Sequence, residues 1–147
     1  MAMSIPASPP IARAWALTAT TFKPRMFAAS PKQFGKSAGE LSPASGVKVS
    51  DPRFLAAQLQ HRVCNALRES LLADGQTVTD LAGELTPLVP GMSYDRLVRV
   101  LRGETLMQMA DLTTWAARYP AVRRILTSDR TWSAPDQDDD VPSGAQL

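Results

Sequence analysis

The chain has 147 residues, 44% of them hydrophobic, with 16 Lys and Arg against 14 Asp and Glu. That length admits one domain with tails and argues against a large multidomain enzyme. The charge is unevenly spread: residues 1–50 carry six basic side chains against the single acid Glu40, residues 51–130 carry ten against nine, and residues 131–147 carry four Asp and no base.

The N-terminal segment holds six of the 12 prolines, among them Pro24, Pro31 and Pro43, together with many Ser, Ala and Thr. Proline fixes φ and withholds an amide hydrogen, and small polar residues bury little, so residues 1–49 are expected to form a flexible basic arm. Within it Phe22, Phe27 and Phe34 alternate with Lys23, Arg25, Lys32 and Lys36, a spacing compatible with a segment that docks a protein partner and folds on binding. A plain disordered tail fits the same residues equally well. The acid-poor start also shares its composition with organelle transit peptides, a minor reading beside the arm. No stretch reaches the ~18 apolar residues of a membrane span, so no membrane partner is expected.

Ser50-Asp51-Pro52 signals the start of a first helix, because Ser or Asp can accept first-turn amide hydrogens and proline fits the first helical position. Leu55, Leu59, Val63, Ala66, Leu67 and Leu71 then recur at helical spacing, and Asp74-Gly75 marks the end. Thr77 and Asp80 form a capping-box pattern at the head of a second, short helix with Leu81, Ala82 and Leu85 inward. Pro87 and Pro90 forbid its continuation. Ser93 can cap a third helix, about residues 93–102, whose apolar positions are Leu97, Val100 and Leu101 and whose outward positions are Tyr94, Asp95, Arg96, Arg99 and Arg102. Gly103 ends it. Met109, Leu112, Trp115, Ala116 and Tyr119 predict a fourth helix, with Asp111 near its start. Pro120 opens a fifth turn or two with Val122, Ile125 and Leu126 apolar. The fold class expected is all-α, a compact five-helix unit over residues 50–130, followed by an acidic disordered tail over residues 131–147.

One His and one Cys cannot complete a metal site, and His61 and Cys64 are expected to be an ordinary helix pair. The run from Asp136 to Asp140 lacks the glycine and closing glutamate of a calcium loop and reads as a solvated tail. Neither a nucleophile elbow nor a phosphate-cradling loop is present, since Phe34-Gly35-Lys36-Ser37 lacks the upstream glycine at the required spacing. No catalysis and no cofactor are expected.

The string Gly91-Met92-Ser93-Tyr94-Asp95-Arg96-Leu97, closed by Arg102-Gly103 and preceded by Leu81-Ala82, resembles the turn and recognition helix of the phage-repressor and Cro-like (XRE-like) helix-turn-helix family. The resemblance covers about residues 53–127. It departs in the turn, where Ala82 and Gly91 are nine apart and about five residues are added. Val78 stands where that family often has Gln. A lengthened turn of this kind is similar to that of some actinobacterial nucleoid-associated regulators. The resemblance implies a repressor-like domain that binds double-stranded DNA, as a homodimer, in the cytoplasm at the nucleoid.

The residues support that implication independently. An α-helix fits the major groove, where guanidinium groups read guanine or neutralise phosphate. Arg96 and Arg99 are therefore expected to contact bases, with Ser93, Tyr94 and Arg102 on the backbone, and Thr77 and Thr79 joining as candidate DNA contacts. Asp95 is expected to orient Arg99 as an i, i+4 pair. The segment 51–130 has little spare positive charge for a DNA binder, so the arm or a second subunit is expected to supply it. Other readings of the same residues are a protein-interaction module such as an antitoxin or adaptor, or a weakly specific architectural DNA-binding protein.

Overall fold

A computed structural model describes residues 22–37 and 39–133. Among them the protein is all-helical: α1 (Pro52–Ala73), α2 (Val78–Leu85), α3 (Tyr94–Leu101), α4 (Met109–Arg118), α5 (Pro120–Thr127) and the single turn α6 (Asp129–Trp132). Two 3-10 turns, Pro24–Phe27 and Pro31–Gln33, precede them, and Ala28 and Pro43 form one isolated antiparallel bridge. The first five helices lie where the periodicity predicts them. No helix among the described residues is long and apolar enough to cross a membrane.

The helix ends follow from local chemistry. The Asp51 carboxylate accepts the Arg53 amide at 2.9 Å with Pro52 in the first helical position, and α1 then runs for 22 residues, about 33 Å. At its far end Gly75 takes a φ of +66°, a conformation open to glycine without steric penalty, and the Gln76 amide reaches back to the Leu71 carbonyl at 2.9 Å. The capping box of α2 forms in both directions, between the Thr77 hydroxyl and the Asp80 amide and between the Thr77 amide and the Asp80 carboxylate. Those bonds to Thr77 hold the Asp80 carboxyl below its ordinary pKa.

The expected arm is where sequence and structure part most clearly. Residues 22–49 lie against α1 and α3, and Ala28, Phe34 and Leu41 belong to the buried core. The predicted boundary between a flexible arm and a domain at residue 50 is thereby corrected: the helical unit begins at least at Phe22. Residues 1–21 and the acidic run at 136–140 lie outside the described residues.

The physical reason is a stripe of polar side chains on α1 at helical spacing that binds the backbone of residues 35–41. Gln58 accepts the Leu41 amide (2.8 Å) and donates to the Leu41 carbonyl (3.3 Å). His61 accepts the Gly35 amide at Nδ1 (2.8 Å), which leaves its proton on Nε2, 3.0 Å from the Gly39 carbonyl. Asn65 donates to the Ser37 carbonyl at 2.7 Å. A segment without regular structure thus finds partners for its backbone groups on a helix face. The His61 ring is fully buried, and burial pushes its pKa below the ordinary value, consistent with the neutral tautomer that these bonds require.

Close packing at two glycines completes the attachment. The Phe34 ring, 1% exposed, lies so tightly on Gly103 that a Cβ there would stand 2.7 Å from it. A Cβ on Gly35 would stand 2.6 Å from the Leu101 carbonyl. The Arg25 amide donates to the Gly103 carbonyl at 3.0 Å, and Arg53 stacks over the Phe27 ring at 5.0 Å. The aromatic residues read as partner-docking groups therefore serve the chain's own fold.

This second covered face also corrects the phase of α1. Phe54, Ala57, Gln60, His61 and Cys64 are buried with Val63, Leu67 and Leu71, whereas Leu55 is exposed. Cys64 is an ordinary core thiol, its pKa pushed up to about 12 by burial. Gln60 is buried and saturated: its amide donates to the Val100 and Thr105 carbonyls at 2.9 Å each, and its oxygen accepts the Met107 amide at 2.8 Å. It fastens the loop after α3 to α1. In α4, Met109 is exposed rather than inward, while Trp115 and Tyr119 are buried as expected.

Candidate nucleic-acid interface

The segment α2, turn, α3 is built as a unit. Leu81, Ala82 and Leu85 of α2 and Leu97, Val100 and Leu101 of α3 are all buried, and the two helices pack on each other. The long turn between them is not loose. The Leu88 and Val89 amides both bond to the Leu85 carbonyl at 2.9 Å, and Val89 and Met92 are buried. Val89 and Met92 form an apolar plug under the turn, and Pro87, Leu88 and Pro90 stay outside. Gly91 turns the chain with a φ of +76° and open space where a Cβ would be. Ser93 then caps α3, its hydroxyl accepting the Arg96 amide at 3.2 Å.

Of the three arginines expected to face outward, one does not. Arg96 turns inward to form a two-pronged bond with Asp111 on the first turn of α4, Nη1 to Oδ1 at 2.8 Å and Nη2 to Oδ2 at 2.6 Å. Asp111 is fully buried and the Arg96 side chain only 14% exposed. The second carboxylate oxygen also accepts the Gln108 amide at 2.7 Å, so one buried carboxylate caps α4 and anchors α3. Its hydrogen bonds hold the Arg96 guanidinium above its already high pKa. The expected base-contacting role of Arg96 is corrected to a structural one. The reason is that residue 96 of α3 faces the start of α4, a juxtaposition that spacing within one helix does not reveal.

Arg99 and Arg102 are exposed, as expected. The expected Asp95–Arg99 side-chain pair is not formed; the Arg99 Nε donates instead to the Asp95 carbonyl at 3.3 Å. No ion pair holds Arg99 or Arg102 among the described residues, so both guanidinium groups are open to a ligand. Tyr94, half exposed, and the Ser93 hydroxyl lie at the N-terminal end of the same helix. Thr77 and Thr79 are exposed at the start of α2, where the Thr77 hydroxyl is already engaged in its cap.

The structure adds positive charge that the segment 51–130 lacks. With residues 22–49 attached, the described part carries fifteen basic and ten acidic side chains. Phe34 on Gly103 and Arg25 on the Gly103 carbonyl put this segment at the C-terminal end of α3. Lys23, Lys32 and Lys36, all exposed, are each within two residues of those contacts. Arg25 itself pairs with Glu104 at 3.2 Å. The sequence places these cations on a flexible arm; the signal for their actual placement is the polar stripe Gln58, His61 and Asn65 on a helix otherwise amphipathic.

The arrangement can present cations and hydroxyls to a polyanion. Among the described residues no group of three or more metal-ligating side chains is gathered. No protein-family model, curated protein or solved structure matches the chain.

Proposed function

We propose that the chain is a sequence-specific DNA-binding transcriptional regulator of the repressor-like helix-turn-helix type, with α3 lying in the major groove of double-stranded DNA. The observation that carries this reading is the outer face of α3: two exposed guanidinium groups, Arg99 and Arg102, with no ion pair among the described residues, on a short capped helix held firmly from behind by Arg96–Asp111 and by Phe34. Arg99 reads a base edge, Arg102 with Ser93 and Tyr94 contacts the backbone, and Thr77 and Thr79 approach phosphate from α2. Two chains in a homodimer would place two α3 helices on an inverted repeat. Its place is then the nucleoid.

One observation favours a second reading, a weakly specific architectural DNA-binding protein. With Arg96 turned inward, α3 keeps fewer base-reading donors, and Lys23, Lys32 and Lys36 add charge that is indifferent to sequence. Selecting bound molecules from a random DNA pool decides between them. A regulator enriches a palindromic site, and Arg99→Ala then weakens that site by ~1–3 kcal/mol while relaxing one position. An architectural protein binds the pool without enrichment. Absence of DNA binding at low salt by the full chain would refute both.

A further inference from the structure

We propose that the groove between α1 and the α5–α6 corner is the docking site of the chain's own acidic C-terminal segment, residues 134–147. The groove has a volume of about 420 Å³. Ala66 and Ile125 give it an apolar floor, and Arg62, Arg124 and Arg130 stand around it. Only one carboxylate is engaged with these arginines: Arg62 and Arg130 both bond to the same Glu40 oxygen. Arg124 has no ion pair among the described residues. Glu69 also lines the groove, so its own charge is one positive in excess, and Asn65, Ser128 and Thr131 supply uncharged polar groups.

Two facts choose the occupant. The described chain ends at Ser133, and Arg130 and Thr131, three and two residues before it, are themselves part of the groove wall. Past Ser133 the sequence carries Asp136, Asp138, Asp139 and Asp140. At ~3.3 Å per extended residue, Asp136 can reach about 10 Å from Ser133 and Asp140 about 23 Å, enough to cross the groove. A short tether gives an effective concentration in the mM range, so even contacts with a Kd of about that size are made roughly half the time. Docked here, the four aspartates are held at α1, α5 and α6 and do not oppose a polyanion at Arg99 and Arg102.

The test is paramagnetic relaxation in the full-length protein. Ser143→Cys accepts a spin label selectively, because the native Cys64 is fully buried with its thiol held protonated. At low salt the label is expected to weaken the amide signals of Arg124, Ser128 and Thr131 about twofold or more, since the tether keeps the site about half occupied. The signals should recover at about 0.5 M salt, where the Debye length shrinks to roughly 4 Å. Arg124→Gln/Arg130→Gln, which changes two exposed side chains, should abolish the effect without altering the fold's spectrum. Broadening centred on Tyr94, Arg99 and Arg102, no localised broadening at low salt, or broadening only between labelled and unlabelled molecules in a mixed sample would each overturn the proposal.

Discussion

Removal of Asp111 is the perturbation whose size the structure defines best. In Asp111→Ala the Arg96 guanidinium, 14% exposed, loses both bonds of its fork, and the Gln108 amide loses its acceptor. Breaking a buried pair from one side leaves an uncompensated charge and costs ~3–5 kcal/mol. Losing the cap of α4 costs about 1 kcal/mol by itself, but both losses fall on one site and do not add fully. A destabilisation of about 4 kcal/mol is expected, a large part of the ~5–15 kcal/mol typical of a domain. Arg96→Met should cost a comparable amount, because it strands the buried carboxylate instead, and the double variant Arg96→Met/Asp111→Leu should cost less than the two together. Urea unfolding followed by far-UV circular dichroism measures all three. The assignment of Arg96 to the fold fails if Arg96→Met changes stability by less than ~0.5 kcal/mol, as an outward surface residue would, while eliminating DNA binding.

Gly103→Ala combines a left-handed backbone with a Cβ 2.7 Å from the Phe34 ring, so it should destabilise by more than the ~1–2 kcal/mol of the backbone penalty alone. Gly91→Ala, at a similar φ in open space, should show only that penalty, and limited proteolysis at Lys32 and Lys36 should accelerate in the first variant and not in the second. His61 makes stability depend on pH. Its folded pKa lies below the unfolded value of ~6.5, so the unfolded chain takes up the proton first; stability is full above about pH 6.5 and falls as pH drops through the folded pKa. The same urea titration at pH 7.5 and 5.5 should register that loss, His61→Gln should flatten it, and an equal loss in both proteins would assign it to other groups.

Local signals carried most of the helical framework. Pro52, the Thr77–Asp80 box, Ser93 and Pro120 act within one turn of themselves, and the helices begin where those residues stand. The N-terminal segment failed the same reading for a reason specific to it. Its order comes from Gln58, His61 and Asn65 binding its backbone and from Phe34 filling the space above Gly103, contacts between residues 17 to 69 positions apart. Composition measures how a segment behaves alone, and this one is not alone. The candidate site divides in the same way: Ser93, Tyr94, Arg99 and Arg102 are exposed on α3 as the periodicity implies, whereas Arg96 is claimed by a carboxylate fifteen residues away.

By itself, then, the sequence determined that this protein is helical, where its first five helices lie, and that α3 is a short capped helix rich in arginine. Those properties depend on backbone preference and on neighbours within one turn, both present in the local string. Only the tertiary structure decided which arginines remain free, that residues 22–49 belong to the domain, and where their lysines sit. Each of these depends on a partner distant in sequence, and a buried charge or an unpaired backbone amide accepts whichever partner the packing brings within about 3 Å.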